Sequence, residues 1–135
     1  MTRSLFPLLV LVFLCGGSPL ARQHDDPATW LTRSGYYRVS YMSKLEPLTI
    51  NRIHDWVFHI ENAAGDPVEG AVITVTGGMP RHNHGLPTSP RMTGKLGDGD
   101  YLLSGMRFHM HGEWELTVTV DVEGRRDSAV ISLTL

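Results

Sequence analysis

The feature that most limits how this chain can fold is a period-two alternation of apolar and polar residues. Tyr37, Val39 and Tyr41 alternate with Arg38 and Ser40, and Trp56, Phe58 and Ile60 alternate with Val57, His59 and Glu61. Ala71, Ile73 and Val75 do the same with Val72, Thr74 and Thr76, as do Trp114, Leu116, Val118, Val120 and Val122 with Glu115, Thr117, Thr119 and Asp121. A last apolar run, Ala129 to Leu135, closes the chain, and no long stretch has helical spacing. On an extended backbone successive side chains leave opposite faces, so this pattern buries one side of each strand and wets the other. Short glycine-bearing turns separate the runs: Asn62 to Pro67, Leu96 to Asp100 and Glu123 to Asp127. The expectation is an all-β, immunoglobulin-like antiparallel β-sandwich of about seven strands. Its two sheets would press the Trp56/Phe58 face against the Trp114/Leu116 face. Only Gly77 to Gly94, rich in turn prolines and glycines, breaks the pattern and reads as a long loop.

The N-terminus belongs to targeting rather than to the fold. Arg3, the apolar run Leu5 to Leu14 and the small residues Gly16, Gly17, Ser18 and Ala21 describe a signal peptide over residues 1–21. The apolar run is well short of the ~20 residues that span a bilayer, so the mature form is expected to have no membrane span. Residues 22–35 are polar and read as a mature N-terminal tail, and 36–135 as one sandwich domain. Cys15 is the only cysteine, and a chain cut after it has no disulfide, no thiolate ligand and no cysteine nucleophile. Lipidation of Cys15 is the less favoured alternative, because Phe13 and Leu14 before it are bulky. A periplasmic or secreted protein is expected. The formal charge is −2, and no basic cluster exceeds Arg125–Arg126, which argues against a nucleic-acid partner.

Chemistry concentrates in one region. Four of the seven histidines and four of the six methionines lie between Met79 and His111. His82 and His84 sit two apart, so on an extended backbone both imidazoles face one ion. Imidazole suits copper and zinc, while thioether sulfur selects Cu(I). A His/Met set without cysteine therefore favours copper as the metal, with zinc as second choice. The candidate ligands are His82 and His84, with a thioether from Met110 or Met79, and His109 and His111 behind them. Met110 shares parity with Met106, Phe108, Trp114 and Leu116, which also fits plain core packing. His109 and His111 have the opposite parity and would face away from Met110 unless a bulge intervenes. Glu113 and Glu115 read as acceptors fixing an imidazole tautomer or as a solvated strand face. His54 and His59 read as ordinary surface or hydrogen-bonded histidines, and Met92 as packing.

These same stretches carry a family resemblance. Gly78-Met-Pro-x-His82-x-His84-Gly-x-Pro87-Thr, Leu96-Gly-Asp-Gly-x-Tyr101 and Gly105-Met-x-Phe108-x-Met110-x-Gly112-x-Trp114-Glu-Leu116 resemble the YtkA-like domain, which is related to the FixH group of exported or membrane-anchored bacterial proteins. The resemblance spans roughly Trp56 to Leu135 and implies an immunoglobulin-like sandwich outside the cytoplasm. FixH relatives are associated with copper handling during cytochrome oxidase assembly. The implied role is a copper chaperone, buffer or assembly factor, with a copper-accepting envelope or oxidase-assembly protein as partner.

An enzyme is not expected. Ser89, His82 and Asp98 lack any spacing that supports a triad, and no zinc-hydrolase frame such as HExxH is present. The competing reading is a structural or protein-interaction sandwich of the envelope that binds no metal. Export is directly testable: N-terminal sequencing of the envelope fraction should find a mature start between Ser18 and Gln23. An intact Met1 or a diacylated Cys15 contradicts that expectation.

Overall fold

The structure, a computed structural model, describes residues 28–135. The signal peptide, Cys15 and the first part of the expected tail lie outside the described residues. Nine strands follow in order: β1 (Thr29–Leu31), β2 (Tyr37–Ser43), β3 (His54–Asn62), β4 (Val72–Met79), β5 (His84–Gly85), β6 (Arg91–Gly97), β7 (Asp100–Met106), β8 (Glu113–Val122) and β9 (Arg125–Thr134). They form two antiparallel sheets, a five-stranded one ordered β1-β2-β3-β7-β6 and a four-stranded one ordered β5-β4-β8-β9. The β-sandwich expected from the alternation is the one observed. The strand count exceeds seven because β1 and β5 have only 3 and 2 residues.

Two expectations about the chain's layout need correction. The first concerns the tail, since β1 and the turn after it lie within residues 22–35. Thr29 to Leu31 pair with Ser40 to Arg38, and Arg33 N–H donates to the Ser128 carbonyl. The second concerns Gly77 to Gly94, which is largely ordered strand and turn rather than one long loop. β4 continues to Met79, a single 3-10 turn covers Pro80–His82, and β5 folds back onto Gly78 and Met79. Alternation could not show this, because Gly77 and Gly78 have no side chains to alternate. They are glycines for a packing reason. A Cβ on Gly78 would run into the His84 carbonyl oxygen, and one on Gly77 would lie 2.7 Å from the Glu115 carbonyl oxygen.

The alternating faces meet as expected. Trp56, Phe58 and Ile60 from β3 and Trp114, Leu116, Val118 and Val120 from β8 are all fully buried. Phe108 joins the sheets, its ring centroid 6.2 Å from that of Trp56 and 5.1 Å from that of Trp114. Tyr41 stacks on the far side of Trp56 at 4.1 Å with the planes 7° apart. The β8–β9 hairpin closes through Glu123 and Gly124, both at positive φ as a two-residue hairpin turn requires.

One seam of the sandwich is laced shut by Asp127 at the start of β9. Its carboxylate accepts the backbone N–H groups of Ser34, Tyr36 and Ser128. Burial alone would raise the Asp127 pKa. The Thr32 side chain and the Ser128, Ser34 and Tyr36 N–H groups outweigh it, leaving the pKa below the ordinary 3.8.

Two expectations follow. Trp56→Ala or Trp114→Ala should each cost about 3–5 kcal/mol in denaturant unfolding, and variants that unfold like the parent would contradict this core. Because the Asp127 pKa is depressed, its stabilisation is complete above the ordinary carboxylate value and fades as pH falls through the folded one. Asp127→Ala should therefore destabilise at neutral pH and flatten the acid limb of the stability–pH curve below about pH 4, where carboxylates protonate.

Candidate metal centre

Three imidazoles gather at one end of the sandwich, over the edge of Trp114. The rings of His82 and His84 lie 5.9 Å apart with planes 28° from parallel, and those of His84 and His109 lie 4.9 Å apart. Trp114 forms the floor, edge-on to His84 at 5.8 Å and to His109 at 5.5 Å. The indole is held in place by its Nε1–H, which donates to the Met110 carbonyl at 3.1 Å.

The backbone explains how these residues meet. His82 ends the 3-10 turn, Asn83 adopts the left-handed conformation (φ 52°), and His84 starts β5. The His-x-His pair shares a side as expected, though a tight turn rather than an extended backbone produces it. Asn tolerates left-handed φ better than most residues, which suits it to the middle position. On the other side, β7 ends at Met106 and β8 begins at Glu113, so the residues between are outside regular strand. Strand parity does not apply there. His109 is half-buried against Trp114, whereas Met110 is 36% exposed and His111 is exposed.

Two nitrogens in this cluster stand out. His84 Nε2 and His109 Nδ1 are buried and have no hydrogen-bond partner. His84 Nδ1 lies 3.2 Å from the Gly85 carbonyl; donating there leaves the Nε2 lone pair free to bind a ligand. His54 Nε2, Trp56 Nε1 and Arg107 Nε are also buried without partners, but none of them sets one imidazole against another. Buried unpaired polar atoms are uncommon enough to call for an explanation, and a bound ion is one.

Met79 lies directly across the ladder from His84, and cross-strand partners project to the same face. Its side chain is fully buried, which fits the core-plug reading of this residue as well as the ligand reading. It packs beneath Gly112, where an added Cβ would meet Met79 Cε at 2.8 Å. The three imidazoles are near one another without closing round one point: among the described residues, no group of three or more His, Cys, Asp or Glu is arranged to hold a metal ion. The closest grouping at this end is the His84–His109 pair, with Met79 on the ladder rung opposite His84.

The remaining candidates fall elsewhere. Glu113 is 3.6 Å from Arg81, and Glu115 is exposed on the outer face of β8. Met92 is half-buried against the core. His59 bonds Asp100 through Nδ1 at 2.7 Å. His54 is buried beside Trp56 and Phe108, with Nδ1 3.0 Å from the Arg52 carbonyl, so of its two readings the hydrogen-bonded one holds and the surface one does not. Sequence reasoning missed the pairing of His84 with His109 and the part Trp114 plays beneath them. No local pattern links positions 84 and 109; only the shared parity of Trp114 with Phe108 hinted that this end would be packed.

A family model described as YtkA-like matches residues 34–119. The chain belongs to the YtkA-like family. No curated relative and no solved structure matches it significantly. The matched span of the YtkA-like domain runs from the turn before β2 into β8 and includes all three clustered imidazoles.

Gly112 tests this geometry in the YtkA-like domain. Its φ is +131° and Met79 lies directly under it, so Gly112→Ala must strain the backbone and displace the thioether. A loss of about 1–3 kcal/mol in thermal or denaturant unfolding is expected. Nuclear magnetic resonance shifts should centre on Met79, His109 and Trp114.

Proposed function

We propose that this YtkA-like protein is an exported copper-binding protein that serves as a chaperone, buffer or oxidase-assembly factor outside the cytoplasm. The observation that carries this reading is the juxtaposition of two buried, unpartnered imidazole nitrogens, His84 Nε2 and His109 Nδ1, on rings 4.9 Å apart. His82 stands beside them at the rim, and Met79 and Met110 are the nearest sources of thioether sulfur in the sequence around the cluster. Imidazole and thioether together suit Cu(I) better than zinc, whose structural sites close with four nitrogen, sulfur or oxygen ligands.

The ligand roles differ from the order the sequence suggested. His84 and His109 are the central pair, His82 is the outer histidine, and His111 is exposed. A rim site of this kind favours passing the ion on over locking it away. Met110 and His82 are exposed where a copper-accepting envelope protein would dock, so ligand exchange can begin there. Export of the chain and its place in the periplasm belong to this reading as well, and they rest on the signal-peptide pattern of residues 1–21.

The experiment is metal retention. Purified mature protein is mixed with Cu(I), Cu(II) or Zn(II), desalted, and assayed for bound metal. One equivalent of Cu(I) should survive, with Trp114 fluorescence quenched on loading. His84→Ala and His109→Ala should each abolish retention while leaving the fold intact. Met110→Leu should weaken Cu(I) and spare Cu(II). If no metal is retained, the protein is a structural or interaction sandwich. Retention unchanged in both His variants would place the site elsewhere.

A further inference from the structure

The two long seams of the sandwich are unequal. On the β1–β9 side, Asp127 and the Arg33-to-Ser128 bond stitch the sheets together, and Tyr37 Oη–H donates to the Arg125 carbonyl. On the opposite side no hydrogen bond joins the edge strands β4 and β6 among the described residues, and a cleft of about 790 Å³ lies along them. Its floor includes Val75, Leu86, Met92 and Leu103, and among the described residues its charged lining is Arg91 and Lys95.

The open edge of β4 can be read residue by residue. In an antiparallel strand the N–H and C=O of one residue point to the same side, and successive residues alternate. Gly77 C=O accepts Leu86 N–H at 3.0 Å, and Ala71 N–H donates to Tyr101 Oη at 3.0 Å, so both point away from β8. Ile73 and Val75 share that parity. Their outward N–H and C=O groups meet no strand among the described residues. The chain itself uses the neighbouring stretch of this edge, where β5 pairs with Gly78 and Met79. That pairing stops when Pro87 turns the backbone away and Thr88 bonds the Gly105 carbonyl at 2.7 Å.

We propose that this cleft binds an extended acidic peptide segment of another protein, added as a strand to the free edge of β4 beyond β5. Backbone pairing with Ile73 and Val75 supplies the register. Every second side chain of the added strand faces inward, toward the apolar floor and toward β6 of the facing sheet, which carries Arg91 and Lys95. Those over the floor should be Val- or Ile-like, and those over the two cations carboxylates. A cleft whose charged lining among the described residues is two cations, in a chain of net charge −2, selects against a basic strand. The inference is independent of metal binding.

The test uses the mature protein, isotope-labelled, and a short acetylated, amidated peptide that presents both Val and Glu on one strand face, with Thr between them. Amide shifts should centre on Ile73, Val75, Gly77 and Arg91 to Lys95. The same peptide with Lys in place of Glu should bind about tenfold more weakly or worse. Arg91→Glu combined with Lys95→Glu lies at the exposed rim and should leave the fold unchanged while inverting that preference. Val75→Pro removes an N–H that β8 does not use and should abolish binding; the charge-reversed variant keeps the test decisive should Val75→Pro unfold. No shifts at millimolar peptide, or shifts away from this edge, overturn the proposal. So does edge protection in hydrogen exchange without peptide, which would mean that the chain or a second copy already fills the cleft.

Discussion

The contact on which most of this molecule depends is Phe108 wedged between Trp56 and Trp114. Each tryptophan is presented by a different sheet, so the phenyl ring is where the two alternating patterns lock together. Aromatic rings bury large apolar areas, and edge-to-face pairs such as Phe108 with Trp114 add a specific geometric preference. With no cysteine in the described residues, the domain has no disulfide to limit the entropy of its unfolded chain, and packing must carry more of the stability. The same wedge fixes the functional end. Trp114 is held from below by Phe108 and from the side by the Met110 carbonyl, so its ring is a rigid platform that His84 and His109 cover.

How far the sequence foretold this depended on whether a residue sat in a regular strand. Inward-facing Trp56, Phe58, Trp114, Leu116 and Val118 were legible because burial follows parity wherever one sheet face is covered. The same rule misplaced Met110, which has core parity by counting yet is exposed, because the chain leaves strand geometry after Met106. It also hid β5, since Gly77 and Gly78 carry no side chain to reveal the strand. The histidine crowding was visible, and so was the sharing of one side by His82 and His84. The central pair was not. His84 and His109 meet only because β4 turns back through Asn83 while the segment before β8 folds over Trp114, and both events are tertiary.

The two seams show how one fold separates stability from exposure. Asp127 draws the turn after β1 onto β9 with hydrogen bonds to an ionised carboxylate, which are stronger than neutral ones. The β4–β6 side has no such lacing along Ile73 and Val75. Among the described residues its hydrogen bonds lie at the ends, from Tyr101 Oη at one and from Thr88 and Leu86 at the other. An exposed strand edge is an aggregation hazard, and proteins commonly protect such edges with charge. Arg91 and Lys95 stand at this one. Like charges deter a second copy of the same edge, while leaving it open to a strand of the opposite sign.

The imidazole cluster and the open edge meet in β5. This two-residue strand places His84 against Trp114, and it fills the end of the β4 edge next to the cleft. Its hold is slight: pairing at Gly78 and Met79, one bond from Leu86 N–H, and the Thr88 tether beyond. Short elements with few buried contacts are drawn from the low-stability end of a fold. A strand laid along Ile73 and Val75 would extend the same edge up to Leu86 and restrict the last freedom of β5. One two-residue strand thus does two jobs: it seats His84 over Trp114 and it sets where the open edge of β4 begins.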